Sequence, residues 1–197
     1  MSKYKYIILG GGMVAGYAAQ ELVERGLQPG KLAIVSSDDA LPYERPPLSK
    51  DFLAGETEEQ QVLINPPAFY DDAGVTVRLS TTVVGVSASE QTIRTADGDT
   101  LGFEQLLIAT GARVRTLNAP GADLPGVMYL RSLGDSRRLR DAYRTSKRAV
   151  VLGGGFIGME VASVLARHGV ATTMAFPEDR VWARFFTPEM SGFFERY

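Results

Sequence analysis

Two glycine-rich turns, at residues 10–12 and 153–155, have the residue types and spacing that bind phosphate groups. Because glycine leaves a turn without side chains, backbone N–H groups can approach a pyrophosphate, and the partial positive charge of a following helix favours the anion. The second turn completes the pattern Gly-x-Gly-x-x-Gly with Gly158, whereas the first has Ala15 at the third position. Alanine is an accepted variant there, since that position serves close packing of helix on strand. The two turns therefore predict two dinucleotide sites.

An acidic residue follows the strand after each turn, at Asp38 and at Glu178. A carboxylate in this place accepts a hydrogen bond from a ribose 2′-hydroxyl and repels a 2′-phosphate. Glu178 therefore favours NADH over NADPH at the second turn. Arg180 and Arg184 lie close to it in sequence and leave the alternative open, because either guanidinium could bind a 2′-phosphate.

The elements that must position these residues also repeat. Each turn follows an apolar strand, opens a helical pattern and is followed by a second short strand, so each copy reads as a βαβ unit with a parallel sheet. The helical patterns end at Gly26 and Gly169. The predicted strands are residues 6–9 and 32–35 in the first copy, and residues 149–152 and 172–176 in the second. We therefore expect an α/β protein with two Rossmann-like nucleotide-binding folds.

The stretch between the two copies has a different pattern. Residues 82–86 and 91–95 carry β-favouring residues between turn signals, which predicts a small antiparallel β meander in the first fold. Residues 105–109 predict a short buried strand, and residues 135–146 predict an arginine-rich helix with a solvated face. The chain divides into a first nucleotide fold at residues 1–115, a connector and helix at residues 116–146, and a second nucleotide fold at residues 147–197.

Composition excludes several classes of function. The 21 Lys+Arg and 23 Asp+Glu give a net charge of −2, so there is no general electrostatic attraction to nucleic acid or to an anionic membrane. The chain has no cysteine and one histidine, His168, which excludes disulfides, thiolate metal sites and multi-histidine metal sites. The sequence shows neither a signal-peptide core nor a run of the ~20 apolar residues that span a bilayer. We expect no metal, no nucleic-acid or membrane partner, and a cytoplasmic location.

A proline-containing segment between the copies carries a family resemblance. Residues 43–50 read Tyr-Glu-Arg-Pro-Pro-Leu-Ser-Lys, and residues 109–112 read Ala-Thr-Gly-Ala. With the two glycine turns, these segments resemble the FAD-dependent pyridine-nucleotide oxidoreductases of the ferredoxin-reductase type, and within that group most of all the monodehydroascorbate reductases. Further matching stretches are residues 5–12, 15–19, 28–30, 129–131, 173–178 and 184–187. The resemblance implies that the first fold binds FAD and that the second binds NAD(P)H.

The resemblance also implies a set of cofactor-binding residues. At the FAD site these are Gly10, Gly12, Met13, Val14 and Ala15 along the pyrophosphate, Asp38 at the ribose, Arg45 at the phosphate or ribose, Val83 at the adenine, Thr110 and Gly111 at a strand end, and Lys50, Arg131 and Ser132 at the flavin side. At the NAD(P)H site they are Gly153, Gly155, Phe156, Ile157 and Gly158 along the pyrophosphate and nicotinamide, with Glu178 and Arg184 at the adenosine end.

Lys50 and Glu160 are the candidate catalytic residues. Lys50 follows the rigid pair Pro46 and Pro47, and Glu160 lies two residues after Gly158 in the second helical pattern. We predict that the two side chains pair across the two domains beside the flavin. A positive Lys50 would stabilise negative charge on the reduced ring, and Glu160 would hold Lys50 in place. An ordinary interdomain salt bridge is the alternative.

The lack of a redox cysteine pair means that electrons must pass from the flavin directly to an external acceptor. The resemblance favours the monodehydroascorbate radical, reduced one electron at a time by NADH. A ferredoxin or rubredoxin is the alternative acceptor, because residues 51–68 are short, as in bacterial ferredoxin reductases. A third interpretation is a redox-sensing flavoprotein whose NADH complex controls binding to a partner.

The second nucleotide fold is short for a complete domain. Residues 148–197 suffice for one βαβ unit and the start of a further helix, whereas a complete nucleotide-binding domain has more strands. The resemblance implies that the chain is the N-terminal half of a longer protein. Alone, we expect it to expose a sheet edge and to bind FAD weakly.

Overall fold

The computed structural model describes residues 2–196, in which the chain forms two units. One unit comprises the residues up to Arg45 together with Glu58–Arg115. The other comprises Pro46–Thr57 together with the residues from Thr116 onward. The segment at residues 43–50 is therefore divided between the two units, and Lys50 belongs to the second unit.

A six-stranded sheet forms the centre of the first unit. Its strands, numbered in chain order, are β1 (Ser2–Leu9), β2 (Leu32–Val35), β3 (Thr76–Arg78), β4 (Val83–Ser87), β5 (Thr92–Thr95) and β6 (Thr100–Ile108). The strand order is β3-β2-β1-β6-β5-β4. β3, β2, β1 and β6 are parallel, whereas β6, β5 and β4 form the antiparallel meander that the sequence predicts. The predicted α/β fold class is therefore confirmed.

Helix packing in the first unit places one helix close against the parallel strands. The helices are α1 (Met13–Glu24), α3 (Glu59–Val62) and α4 (Pro67–Asp72), while α2 (Asp51–Ala54) lies in the second unit. α1 turns its small side chains Ala15 and Ala19 toward the sheet residues Ile8 and Ile34, and all four are almost fully buried. Because these side chains are small, the helix axis can lie close to the strands.

The second unit contains a two-stranded parallel sheet and three longer helices. Its further elements are α5 (Leu133–Tyr143), β7 (Arg148–Leu152), α6 (Phe156–Arg167), β8 (Ala171–Ala175) and α7 (Pro188–Arg196). β7 and β8 pair in parallel, with Arg148 opposite Ala171 and Leu152 opposite Ala175. β7, α6 and β8 therefore form the second βαβ unit that the repeat predicts.

Hydrogen bonds from side chains of α5 hold the segment Pro46–Thr57. The Ser136 hydroxyl donates to the Leu48 carbonyl at 2.7 Å, and the Tyr143 hydroxyl donates to the Leu53 carbonyl at 2.8 Å. The Leu53 side chain is itself fully buried in a core that includes Tyr143 and residues of α6. These contacts explain why this segment folds with the second unit, although in sequence it lies between the two parts of the first unit.

Two strands are more exposed than their apolar sequences predict. The strand expected at residues 105–109 is the end of β6, where Leu107 is 41% and Ile108 is 64% exposed. In β7, Val150 and Leu152 are 66% and 61% exposed. The prediction of a short buried strand is therefore wrong. β6 is longer because its first half also pairs with β5, and within residues 2–196 its last side chains stay open to solvent.

Candidate dinucleotide sites

The first glycine turn joins β1 to α1 at the edge where the parallel strands end. Gly10 has φ +123°, and a Cβ there would lie 2.2 Å from the carbonyl oxygen of Ala109, directly after β6. Gly11 is equally confined, since its Cβ would lie 2.3 Å from the hydroxyl oxygen of Ser36. The neighbouring strands therefore require glycine at these two positions, before any ligand is considered.

Gly12 differs, because nothing in the protein itself requires a glycine there. Its φ is −88°, an ordinary value, and the atom nearest to a Cβ would be Arg45 Nη2 at 3.6 Å. Gly155 has φ −85°, and a Cβ there would meet nothing within 4 Å. These residues begin α1 and α6, and neither helix has a side chain that caps its first turn. Both turns thus leave open space and N–H donors for a phosphate group, so the residues fit two dinucleotides.

The third position of each motif packs the helix against its strand. A Cβ at Gly158 would lie 2.1 Å from the carbonyl oxygen of Gly153, which has φ +116°. Ala15, at the same position of the first motif, is fully buried. Gly154 is confined by the ring of Phe176, 2.8 Å from where its Cβ would lie. Close packing therefore holds each helix N-terminus near the end of its strand.

Apolar side chains at the starts of α1 and α6 are exposed. Val14 is 57%, Phe156 is 48% and Ile157 is 56% exposed. The Phe156 ring lies against Trp182 and Phe185, with centroid separations of 5.4 Å and 5.2 Å. Exposed apolar surface beside an open glycine turn suits the sugar and ring parts of a dinucleotide.

Asp38 is positioned by a tyrosine that sequence reasoning missed. The hydroxyl of Tyr43, which is fully buried, donates to Asp38 Oδ2 at 2.8 Å. Asp38 Oδ1 accepts the backbone N–H of Asp39 at 2.9 Å. These bonds fix the Asp38 carboxylate just beyond the end of β2, at the same sheet edge as the first turn. Its binding to a ribose stays a prediction. The sequence could have indicated Tyr43, because this residue lies in the segment that carries the family resemblance.

Other predicted FAD residues of the first unit lie at or near this edge. Thr110 and Gly111 follow β6, which runs parallel to β1 up to its last residue. The Arg45 guanidinium lies 5.1 Å from the centre of the Tyr43 ring and next to the first turn. Val83 begins the edge strand β4, three residues after Ser80, whose N–H donates to the Asp38 carbonyl at 2.8 Å, so the start of β4 lies close to Asp38.

Lys50 and Glu160 form the predicted ion pair, but inside one unit. Lys50 Nζ lies 3.0 Å from Glu160 Oε1, and the Ser49 hydroxyl donates to Glu160 Oε2 at 2.5 Å. All three residues belong to the second unit, so the expectation of a pair across two domains is wrong in that respect. The reason is that Pro46–Thr57 packs on α5 and α6. Sequence reasoning missed Ser49, although it directly precedes Lys50.

A cavity of about 510 Å³ opens beside this ion pair. Its lining includes Lys50 and Glu160 together with Phe156, Met159 and Trp182. Lys50 is 48% and Glu160 is 27% exposed, so a ligand in the cavity can reach both side chains. The cavity therefore combines a cation and a carboxylate with aromatic and thioether surface, a combination suited to a planar polar ring.

Glu178 and Arg184 form an ion pair after β8, with Oε1 and Nη2 3.3 Å apart. The Arg184 side chain is 81% exposed. Arg180 is only 25% exposed, and its guanidinium is held by Asp179 at 3.0 Å and by the Ala183 carbonyl at 3.3 Å. From the sequence, Arg180 and Arg184 are equal candidates to bind a 2′-phosphate. In the structure Arg184 is accessible, whereas Arg180 is held by contacts within its own loop.

Ser132 caps α5. Its hydroxyl accepts the backbone N–H of Asp135 at 3.1 Å, while Asp135 Oδ2 accepts the N–H groups of Ser132 at 2.7 Å and Arg131 at 3.0 Å. This capping box begins the arginine-rich helix at Leu133, and the helix ends at Tyr143, so both predicted boundaries shift toward the N-terminus. The cap fixes the backbone at Arg131 and Ser132, whose contact with a flavin stays a prediction.

Both strand–turn–helix units have the fold and glycine pattern of dinucleotide-binding proteins. Residues 4–197 match the pyridine nucleotide-disulphide oxidoreductase family, and the chain belongs to this family. The fold and the two turns thus agree with the family that the sequence indicates.

Curated relatives and solved structures extend this similarity. Peroxisomal monodehydroascorbate reductase 4 of Arabidopsis thaliana is 40% identical, over 98% of this chain and 43% of its own length. A ferredoxin reductase from Rhodopseudomonas palustris has a TM-score of 0.88 and 34% identity, over 98% of this chain and 47% of that chain. A putidaredoxin reductase, solved in covalent complex with putidaredoxin, has a TM-score of 0.86 and 29% identity, over 99% and 47% of the two chains. The chain spans about half the length of the curated relatives it matches.

The geometry at Glu178 predicts how the second site distinguishes NADH from NADPH. Glu178→Gln removes the charge that repels a 2′-phosphate and frees Arg184 to bind it. We expect this change to strengthen NADPH binding relative to NADH binding by about 10-fold, or about 1.4 kcal/mol. Trp182 is the single tryptophan of the chain, so its fluorescence during titration with each nucleotide measures both dissociation constants.

Two further variants control this experiment. Arg184→Ala should act in the opposite direction and weaken NADPH binding more than NADH binding. Arg144→Ala removes an exposed guanidinium of the same unit and should leave both dissociation constants unchanged. Equal effects of Glu178→Gln on the two nucleotides would contradict the assignment.

Proposed function

We propose that this chain binds FAD at the first glycine turn and NAD(P)H at the second, as the nucleotide-binding part of an NAD(P)H oxidoreductase. The observation that carries the proposal is the open space at Gly12 and Gly155, which neither backbone conformation nor packing explains. Membership of the pyridine nucleotide-disulphide oxidoreductase family supports the same assignment. NADH is the preferred donor, because Glu178 would repel a 2′-phosphate.

At the first site, chain groups of three kinds would hold FAD. The N–H groups of Met13 and Val14, at the start of α1, would bind the pyrophosphate together with the open turn at Gly12. The Arg45 guanidinium, beside that turn, would neutralise phosphate charge. The Asp38 carboxylate, oriented by Tyr43, would accept hydrogen bonds from the ribose hydroxyls.

Lys50, Glu160 and Ser49 would supply the electrostatics of the reaction. Bound FAD accepts a hydride from the nicotinamide and can release the electrons singly or in pairs. We assign Lys50 as the cation that stabilises the resulting negative charge. Glu160 holds the ammonium through the 3.0 Å contact, and the Ser49 hydroxyl holds the other carboxylate oxygen. The lysine is thus placed by a carboxylate whose other oxygen is fixed by Ser49.

The monodehydroascorbate radical is the acceptor that we propose. A relative 40% identical to this chain carries the name monodehydroascorbate reductase. The chain has no cysteine, so no thiol of this chain can relay electrons. Single electrons would then pass from the flavin directly to a small acceptor.

A small iron–sulfur carrier is the second candidate acceptor. A ferredoxin reductase 34% identical to this chain has the same fold, with a TM-score of 0.88. The short segment at residues 51–68 favours this alternative through its resemblance to bacterial ferredoxin reductases. A redox-sensing flavoprotein is a third candidate, which a long-lived charge-transfer complex with NADH would favour.

A turnover assay separates these acceptors. The purified chain is supplied with excess FAD and NADH, and ascorbate oxidase acting on ascorbate generates the radical. We expect NADH absorbance to fall only when the radical is being formed. No loss of NADH under these conditions, with fast cytochrome reduction once ferredoxin is added, would assign the carrier instead.

The role assigned to Lys50 predicts the effect of its removal. Lys50→Ala should slow flavin reduction by NADH at least about 10-fold, because the charge that develops on the ring loses its cation. Rapid mixing with NADH, followed by flavin absorbance, measures this rate. Lys147→Ala removes an exposed lysine of the same unit and should not change it. An unchanged rate for Lys50→Ala would show that the ion pair is only structural.

We propose the cytoplasm as the location of the protein. Among the described residues, none of the helices has the length and apolar character needed to cross a membrane. Two of the relatives are described as peroxisomal, and fractionation of the source cells would distinguish the two compartments.

A further inference from the structure

Tyr17 makes one polar contact that its place in the fold does not explain. It lies one turn into α1 and is 49% exposed, so its ring adds little to the core. Its hydroxyl donates to Glu44 Oε1, across 27 residues of sequence. The contact therefore joins the helix that begins at the first glycine turn to the residue that precedes Arg45.

The backbone around Glu44 is already fixed by other contacts. The Glu44 N–H donates to the Val62 carbonyl at 2.8 Å, and the Ile64 N–H donates to the Pro42 carbonyl at 3.0 Å. Tyr43 is buried and bonded to Asp38. These bonds hold the segment against the end of α3 and the residues after it, and Pro42 packs against Gly16 of α1. The Tyr17 hydroxyl adds a polar contact between α1 and Glu44 itself, the residue next to Arg45.

The contact between Tyr17 and Glu44 positions the next residue, Arg45. Its guanidinium lies over the Tyr43 ring, at 5.1 Å from the centre, and 3.6 Å from where a Cβ on Gly12 would be. Since α1 carries both Tyr17 and the N-terminus next to Gly12, the bond to Glu44 ties the arginine to the helix whose N–H groups face the same space. A shift of this segment relative to α1 would move the guanidinium away from the turn.

The negative charge of Glu44 gives its contact with Tyr17 a second consequence. The Glu44 carboxylate is an anion next to a site that we assign to phosphate groups, and a free carboxylate there would oppose phosphate binding. The Tyr17 hydroxyl donates to this carboxylate, and the hydrogen bond raises the pKa of the hydroxyl above its ordinary value. The hydrogen bond holds the carboxylate at Tyr17 on α1.

We propose that Tyr17 is a positioning residue for the dinucleotide at the first glycine turn, and that it acts through Glu44 on Arg45. The inference rests on the proposed FAD site. It adds a residue that touches no cofactor atom and that sets where the arginine meets the phosphates.

The test is the FAD dissociation constant of the Tyr17→Phe chain, measured by quenching of flavin fluorescence at fixed ionic strength. Removing the hydroxyl alone should weaken FAD binding about 5- to 10-fold, the size expected for the loss of one typical hydrogen bond. Tyr6→Phe is the matched control, because Tyr6 packs against the core from β1. It should leave the dissociation constant unchanged.

Two further variants separate positioning from a general effect on folding. Glu44→Gln keeps an oxygen that can accept the Tyr17 hydrogen bond, and it should retain most of the FAD affinity that Glu44→Leu loses. In an Arg45→Ala background, the loss caused by Tyr17→Phe should disappear, because the residue through which it acts is gone.

The possible outcomes are distinct. Unchanged FAD affinity in Tyr17→Phe, while the unaltered chain binds FAD, overturns the role of Tyr17 and leaves the proposed function intact. An equal loss with and without Arg45 also overturns it, since the effect would then not pass through the arginine. Failure of the unaltered chain to bind FAD at any concentration overturns the proposed site and this role together.

Discussion

Both nucleotide folds of this chain depend on the close approach of a helix N-terminus to the end of a parallel strand. At the first turn, the carbonyl of Ala109 leaves no room for a side chain on Gly10, and at the second the carbonyl of Gly153 leaves none on Gly158. These glycines are needed by the protein itself. They fix where α1 and α6 begin, and the open glycines at Gly12 and Gly155 then lie at uncapped helix N-termini.

The remaining site residues take their positions from the same arrangement. Because β1 and β2 are parallel neighbours, Asp38 emerges at the edge where α1 begins. The segment that ends at Arg45 is held there by Tyr43 and Tyr17, which bond to different partners. In the second unit, Glu160 lies one turn into α6, and Ser49 and Lys50 meet its two oxygens from the segment packed on that helix.

Features set by local signals could be predicted from the sequence. β2 has the predicted bounds, and the helices before Gly26 and Gly169 end where predicted, since both glycines adopt positive φ. The repeat itself was visible because hydrophobic spacing and glycine act over a few neighbouring residues.

Features that depend on distant contacts could not be predicted in the same way. Membership of Pro46–Thr57 in the second unit follows from hydrogen bonds to Ser136 and Tyr143, far along the chain. The hydroxyl partners of Tyr17 and Ser49 likewise depend on which segments meet. A hydroxyl carries no sequence signal for its partner, so only the folded structure reveals that these two residues hold the carboxylates of Glu44 and Glu160.

The central claim is that each open glycine serves a different dinucleotide. Calorimetric titration of Gly12→Ala and Gly155→Ala with FAD and with NADH tests it directly, because the protein has room for a methyl group at both positions. The account predicts that Gly12→Ala loses FAD binding and keeps NADH binding, and that Gly155→Ala does the reverse, with both variants as stable as the unaltered chain. Unchanged binding of both nucleotides by both variants would contradict it.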